Sequence, residues 1–282
     1  MQETAYAKIN LALHVRKRRA DGYHALETLF AFAEQGDRLQ QNHVPRPSPG
    51  YDSSVRITGP FGETLSTDDN LVTRAAHAFI ETFAIQDGIA LHLEKNLPIA
   101  SGIGGGSADA AAALRLLARR HAVALDDPRL SAIATALGAD VPACLASVAA
   151  RGEGRGDILA AIPQAGLTGM PLLLVNPRLP LATADVFRGW NGVDRGPLAN
   201  GDPLAAARAG RNDLEPPARR LLPAIGDILA LLADQPGAAL VRMSGSGATC
   251  FALFEHHAAR DAADRAVAAA APHWWRLSTR LR

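Results

Sequence analysis

The strongest chemical signal in this chain is the stretch Ser101-Gly102-Ile103-Gly104-Gly105-Gly106-Ser107. It follows a segment of strand-like alternation and opens into an alanine- and leucine-rich run. In that context backbone N–H groups converge on an anion at a helix N-terminus. Glycines supply the close approach and the positive φ values such a cradle needs. The stretch is not a Walker loop, because no Gly-Lys-Ser/Thr ends it, and the third glycine of the dinucleotide fingerprint is replaced by Ser107. The pattern predicts a phosphate ligand; the competing reading is a flexible turn at a tight helix–strand crossing. Ser107 is expected where the helix begins, able to cap it or to offer its hydroxyl to a phosphate or a magnesium ion.

Four further features could join this loop. Ser244-Gly245-Ser246-Gly247-Ala248-Thr249 lies between two strand-like runs and gains meaning mainly by pairing with the first loop. Lys8 and Asn10 share one face of an alternating segment, where Lys8 taken alone reads as a solvated edge residue. Asp140, just before Val141-Pro142, reads alone as a helix N-cap. Asp109 is expected in the first turn of the loop helix, complementing its dipole.

Composition narrows what these groups can serve. A chain of 282 residues has room for two domains or one two-lobed unit, and 48% hydrophobic content is ordinary for a globular protein. A net charge of +1 gives no global field for nucleic acid or an anionic membrane, so anions must be held by local groups. Cys144 and Cys250 form no CxxC motif and read as free thiols packed as small hydrophobes. Neither a signal peptide nor an apolar run of membrane-spanning length is visible, so a cytoplasmic location is expected.

The elements that must position the chemistry emerge from periodicity. Residues Ala5 to Val15 alternate as a strand with one buried and one more polar face; Asp21-Gly22 marks a turn, and Asn42 to Ser54 reads as a surface excursion. Val55 to Thr58 and Ile89 to Leu93 read as strands, and Asn70 to Phe83, Ser107 to Arg120 and Pro128 to Leu137 as helices. Beyond residue 150, strands are expected at 172–175, 240–243 and 250–254. Helices are expected at 181–188, 214–221, 224–233 and 258–271, with a loop from Trp190 to Pro203. The mixture lacks a strict βαβα repeat and predicts an α+β fold in two lobes, residues 1–150 and 151–282.

Ala7-Lys8-Ile9-Asn10-Leu11, Asp21-Gly22-Tyr23-His24, Pro98 through Ser107, Gly138-Ala139-Asp140-Val141-Pro142 and Ser244 through Ala248 occur in this order. Together they resemble the superfamily of galactokinase, homoserine kinase and mevalonate kinase, over about residues 5 to 255. The Asp-Gly-Tyr-His and Gly-Ala-Asp-Val-Pro segments point to the branch that acts on a cytidylylated sugar alcohol in the non-mevalonate isoprenoid route. The resemblance implies a ribosomal-protein S5 domain 2-like N-terminal lobe that binds ATP and carries catalysis, and a C-terminal α/β-sandwich lobe that completes the substrate site. It implies ATP-dependent phosphorylation of the 2-hydroxyl of a cytidylyl-methylerythritol, with Asp140 as base and Lys8 beside it. Asn10 matches a residue near the reacting end, Tyr23 and His24 match residues holding cytosine, and Phe187 matches an aromatic on the ring's opposite face. Pro98, Ile99, Ala100, Ser101, Gly102, Ile103, Gly104, Gly105, Gly106, Ser107 and Ala108 match the ATP loop. Asn70 and Lys95 stand where adenosine contacts are expected.

The implied partners are ATP with Mg²⁺, to which Ser107 is the candidate ligand, and the cytidylyl substrate. No nucleic acid or membrane is expected, and the chain is expected to act as a monomer or homodimer. Ser101 stands where relatives carry a small glycine, and fits if its φ is negative; Ala108 replaces a common second serine. The segment Pro272 to Arg282 matches nothing in the family. Competing readings are another kinase or a decarboxylase of the same superfamily, and a non-catalytic nucleotide- or RNA-binding module.

Overall fold

The structure is a computed structural model that describes residues 1–42, 54–63, 65–67 and 70–282; most of the expected surface excursion lies outside the described residues. The chain begins with two long strands, β1 (Gln2–Arg18) and β2 (His24–Asn42), followed by β3 (Ser54–Thr58), α1 (Leu71–Phe83) and β4 (Ala90–Glu94). Three helices come next, α2 (Gly105–Arg120), α3 (Pro128–Leu137) and α4 (Val141–Ala146), then β5 (Ala150–Gly154), β6 (Ile158–Ala161) and β7 (Pro171–Asn176). The remainder comprises α5 (Thr183–Arg188), α6 (Pro203–Ala209), α7 (Glu215–Leu221), α8 (Ala224–Ala233), β8 (Ala238–Met243), β9 (Cys250–Phe254), α9 (His257–Ala270) and β10 (Trp275–Arg280).

Two compact units are discontinuous in sequence: one contains residues 1–7, 35–99 and 104–147, the other residues 8–34, 100–103 and 148–282. In the first, the end of β2 pairs antiparallel with β4 from Arg38↔Glu94 to Asn42↔Ala90, and β3 pairs parallel with β4. Helices α1 to α4 pack together in this unit. Between Ala108 and Ala118 every residue of α2 is buried. Alanine permits this, because its short side chain lets neighbours approach on all sides without loss of rotamer entropy. Asn70 caps α1 through its Oδ1, and Asp127 with Pro128 starts α3.

In the second unit, β1 pairs with β2, whose first half pairs with β5 from Leu26↔Gly154 to Phe30↔Ala150; β6 pairs with β5. A separate antiparallel sheet runs β10-β7-β9-β8. Its core gathers Leu173, Val175, Val186, Ile225, Ile228, Met243, Phe254 and Val267 with Leu13 and Val15.

Several expectations are corrected. The first strand is longer than expected, and both of its faces are buried from Ala7 to Val15, because neighbours cover the polar face too. The segment after Tyr23 is one long strand. Strands β5 and β6, and α6 at the end of the expected loop, carried too weak a local signal to be read. The carboxy-terminal tail forms β10, an edge strand paired with β7 from Trp275↔Asn176 to Arg280↔Pro171.

Candidate active site

The glycine loop is built by backbone conformation first. Ala100, Gly102 and Gly104 all have positive φ, at 49°, 75° and 63°, whereas Ser101 does not. Alternation of this kind turns successive N–H groups towards one side, as in an anion-binding nest. Ser101 therefore meets the condition its larger side chain imposed. In the second unit the two glycine segments are joined directly. Ser244 Oγ donates to Gly102 O at 2.9 Å and accepts the Asn10 N–H at 3.1 Å, while Thr249 N–H donates to Ser101 O at 3.0 Å. Asn212 fixes the second segment by donating to Met243 O and Gly245 O, both at 2.8 Å. A Cβ on Gly102 would lie 2.4 Å from Ser244 O, so only glycine permits this approach.

The first unit carries the helix that extends from the loop. Helix α2 starts at Gly105, with Gly104 as N-cap and no side-chain cap. Ser107 is thus not the capping residue; it sits half-buried in the first turn, which the glycines begin earlier than expected. An uncapped first turn offers its orphan amides, and the positive end of the helix dipole, to a ligand. Asp109 is not in the first turn either; it is buried, with Oδ2 2.7 Å from Lys95 Nζ. Lys95, only 3% exposed, also ion-pairs with Asp37, whose Oδ1 accepts the N–H groups of Asn96 at 2.5 Å and Leu97 at 2.7 Å. Burial works against the Lys95 charge, but the carboxylates of Asp109 and Asp37 outweigh it and hold its pKa above the ordinary lysine value. Two carboxylates sharing one ammonium cannot both be fully compensated. Burial, opposed by Lys95 and reinforced by Asp37, pushes the Asp109 pKa up to about 8. Asn70 spends its carbonyl on capping α1 and donates its amide to Ser66 O. Asp140 occupies the N-cap position of α4, but its carboxylate makes no capping bond, so capping does not explain it.

The remaining candidates lie in the second unit. Lys8 is 3% exposed, not a solvated edge residue, and its Nζ stands 4.5 Å from the centre of the Phe30 ring. Asn10 is buried and donates to Thr28 Oγ1 at 2.8 Å; Thr28 donates onward to Ala12 O. Tyr23 ends the turn closed by Arg19 N–H to Tyr23 O at 2.8 Å and is 55% exposed. The Arg155 guanidinium lies 5.2 Å from its ring centre, held there by Asp157. His24 is buried between Phe187, at 5.0 Å between ring centres, and Trp190, edge-on at 5.7 Å. Burial and the Arg18 charge push its pKa below the ordinary histidine value. A neutral ring accepting from Arg18 Nε at 3.5 Å through Nε2 carries its proton on Nδ1. Phe187 therefore packs on His24 itself.

Sequence reasoning missed Asp37, Thr28, Arg155, Trp190 and Asn212. Only Trp190 carried a usable signal, as a large aromatic three residues after Phe187.

Comparison with known proteins adds the family. The "GHMP kinases N terminal domain" matches residues 70–148 and "GHMP kinases C terminal" matches residues 197–273. A 4-diphosphocytidyl-2-C-methyl-D-erythritol kinase of Rhizorhabdus wittichii is 59% identical over 99% of this chain and 94% of its own length. This chain belongs to the GHMP kinases, among the 4-diphosphocytidyl-2-C-methyl-D-erythritol kinases. Another such kinase, from Novosphingobium aromaticivorans, is 52% identical over the whole of this chain and 93% of its own. A crystal structure of 4-(cytidine 5'-diphospho)-2C-methyl-D-erythritol kinase superposes with a TM-score of 0.79 at 35% identity, covering 100% of this chain and 99% of that one. A GHMP kinase uses ATP as co-substrate, the ligand the uncapped α2 and the glycine loop suit. No helix among the described residues is long and apolar enough to cross a membrane.

Proposed function

We propose that the chain transfers the γ-phosphoryl group of ATP to the 2-hydroxyl of 4-diphosphocytidyl-2-C-methyl-D-erythritol, and we assign its side chains to the parts of that reaction. The observation that carries the phosphate half is the uncapped N-terminus of α2, preceded in sequence by a loop with left-handed residues at 100, 102 and 104. The acceptor is inferred from the names of relatives matched over nearly the full chain.

Phosphoryl transfer of this kind is mainly positioning and charge stabilisation. Residues Pro98 to Ala108 hold the phosphates, chiefly through amides at the start of α2, and the Asn70 region lies on the adenosine side. Asp140 orients the acceptor hydroxyl and takes its proton late in the transfer. Lys8 offsets charge on the moving phosphoryl group. Asn10, locked by Thr28, aligns the reacting end of the acceptor. Tyr23 presents an exposed ring for cytosine to stack on, worth about 1–3 kcal/mol. His24, with a proton on Nδ1, provides a hydrogen bond to the edge of the base, and Phe187 backs it.

Among the described residues no three His, Cys, Asp or Glu side chains converge as a metal cage. That suits Mg²⁺, which keeps waters and is bound largely through substrate phosphates. Ser107, in the first turn of α2, would add a hydroxyl ligand. When bound, the ion supplies neutralisation of phosphate charge. Soluble phosphate esters as substrates fit a cytoplasmic protein that needs no nucleic acid or membrane partner, working as a monomer or homodimer. The functional division into residues 1–150 for ATP and catalysis and 151–282 for completing the acceptor site is part of the same proposal.

Asp140→Asn tests the role assignment. kcat should fall by about 10²–10⁴ while binding of the cytidylyl substrate persists. Wild-type turnover in that variant removes Asp140 from the mechanism.

A further inference from the structure

We propose that Asp37, Lys95 and Asp109 form a buried clamp that positions the phosphate loop, and that Lys95 serves ATP through this clamp rather than by side-chain contact with adenosine. The inference rests on the reading of the glycine loop as the ATP phosphate site and adds residues that hold the start of α2.

The clamp joins three separate pieces of the first unit. Asp37 comes from β2, Lys95 directly follows β4, and Asp109 comes from the second turn of α2. Lys95 Nζ donates to both carboxylates, and Asp37 Oδ1 takes the N–H groups of Asn96 and Leu97. The backbone of Lys95 is fixed as well, its N–H donating to Thr58 O at 2.8 Å and its carbonyl accepting from Phe61 at 3.2 Å. The ammonium lies against the start of α2: a Cβ added to Gly105, its first residue, would stand 3.0 Å from Lys95 Nζ and 4.0 Å from Asp37 Oδ2. A shift of the ammonium towards Gly105 therefore meets the backbone at the residue where the orphan amides begin. Rigid presentation of those amides is what binding of a phosphate requires, since donors already aimed at the ligand need no reorganisation.

The side-chain geometry opposes a direct role for Lys95. Its side chain is 3% exposed, and its charge is already shared by two carboxylates. Asp109 Oδ1 is buried with no hydrogen-bond partner, so Asp109 joins the clamp through Oδ2.

Asp109 gives the cleanest test, because Lys95 keeps Asp37 when Asp109 is changed. Asp109→Ala should raise KM for ATP on the order of tenfold or more, the scale expected from a small misplacement of binding groups, and leave KM for the cytidylyl substrate unchanged. Asp109→Asn, which retains a carbonyl oxygen for Lys95, should restore KM for ATP to within about twofold of wild type. A lowered melting temperature in Asp109→Ala with both KM values unchanged would mean a merely structural role and overturn the inference. The second arm measures inhibition by inorganic tripolyphosphate and by adenosine. Asp37→Asn/Lys95→Met/Asp109→Asn removes all charges from the clamp without leaving one unpaired. It should lose affinity for tripolyphosphate and keep that for adenosine. Loss for adenosine alone would make Lys95 a direct contact and overturn the clamp. If tripolyphosphate fails to inhibit even the wild-type enzyme, the phosphate-loop reading falls, and the clamp with it.

Discussion

Gly102→Ala puts the joint between the two glycine segments under the most specific strain. A non-glycine residue at φ 75° costs about 1–2 kcal/mol. The new Cβ would also lie 2.4 Å from Ser244 O and 2.7 Å from both Gly247 N and Gly247 O, all backbone atoms that cannot rotate away. Overpacking of this kind costs about 1–3 kcal/mol. Relief by separating the segments would stretch the Ser244 Oγ to Gly102 O bond and the Thr249 N–H to Ser101 O bond, at about 1 kcal/mol each. With the conformational strain and either the overpacking or its relief, the expected destabilisation is about 2–5 kcal/mol, a large part of the stability of an ordinary domain but short of abolishing folding in many. Urea unfolding at 25 °C reads it, and ADP release by the folded fraction should show kcat/KM for ATP reduced by about 100-fold, the scale of a 1 Å misplacement. Gly192→Ala is the control. Its φ is 79°, but nothing lies within 4 Å of the added Cβ, so only the conformational cost of about 1–2 kcal/mol applies. If Gly102→Ala is no more destabilising than Gly192→Ala and keeps wild-type kcat/KM, the two glycine segments are not wedged together.

Three other outcomes are expected from the structure. Tyr23→Ala should raise KM for the cytidylyl substrate about tenfold and leave KM for ATP alone, in keeping with the loss of one stacking contact; equal rises in both would make Tyr23 structural. Asp109, with its folded pKa pushed above the unfolded value, favours the folded state most at low pH. Its contribution should be lost as pH rises from about 4 to about 8, so the stability of wild type relative to Asp109→Asn should fall over that window in denaturant titrations. A difference that rises with pH, or none, would contradict the buried, half-compensated carboxyl. Arg242 is buried, its pKa lowered to about 10 by burial, and it donates to Leu11 O, to Ala207 O at 2.7 Å and to Gly210 O at 2.7 Å. Arg242→Leu should cost about 3–5 kcal/mol in urea unfolding, because the carbonyls of Leu11 and Ala207, in buried hydrogen bonds, and that of Gly210, in a part-buried one, lose a charged donor; a loss under about 1 kcal/mol would mean water replaces the guanidinium.

What the sequence disclosed depended on whether a signal was local. Helix α3 was legible to the residue because Asp127 and Pro128 start it and Gly138 ends it, and β9 because Cys250 to Phe254 is a short apolar run between turn signals. The long β2 was not, since its charged residues and Gly36 break both helical and strand periods; its pairing with β4 and β5 is what makes it a strand. Among the functional groups, the glycine loop announced itself through backbone chemistry confined to a few consecutive residues. The clamp at the start of α2 did not. Asp37 and Lys95 are separated by 58 residues, and no spacing rule links them. Asp109 carried a faint sign, a lone carboxylate within a run of alanines that only a buried helix would use. Trp190 carried a sign as a large aromatic three residues after Phe187, but its T-shaped contact with His24, far away in sequence, did not.

The most direct measurement is ADP production by the purified wild-type chain with ATP and Mg²⁺, with and without 4-diphosphocytidyl-2-C-methyl-D-erythritol, paired with phosphorus NMR of the product. The account predicts ADP formation that depends on this acceptor, with one new phosphomonoester on its 2-hydroxyl for each ADP. ADP released at the same rate without the acceptor, or released with homoserine or mevalonate but not with the cytidylyl compound, would contradict it.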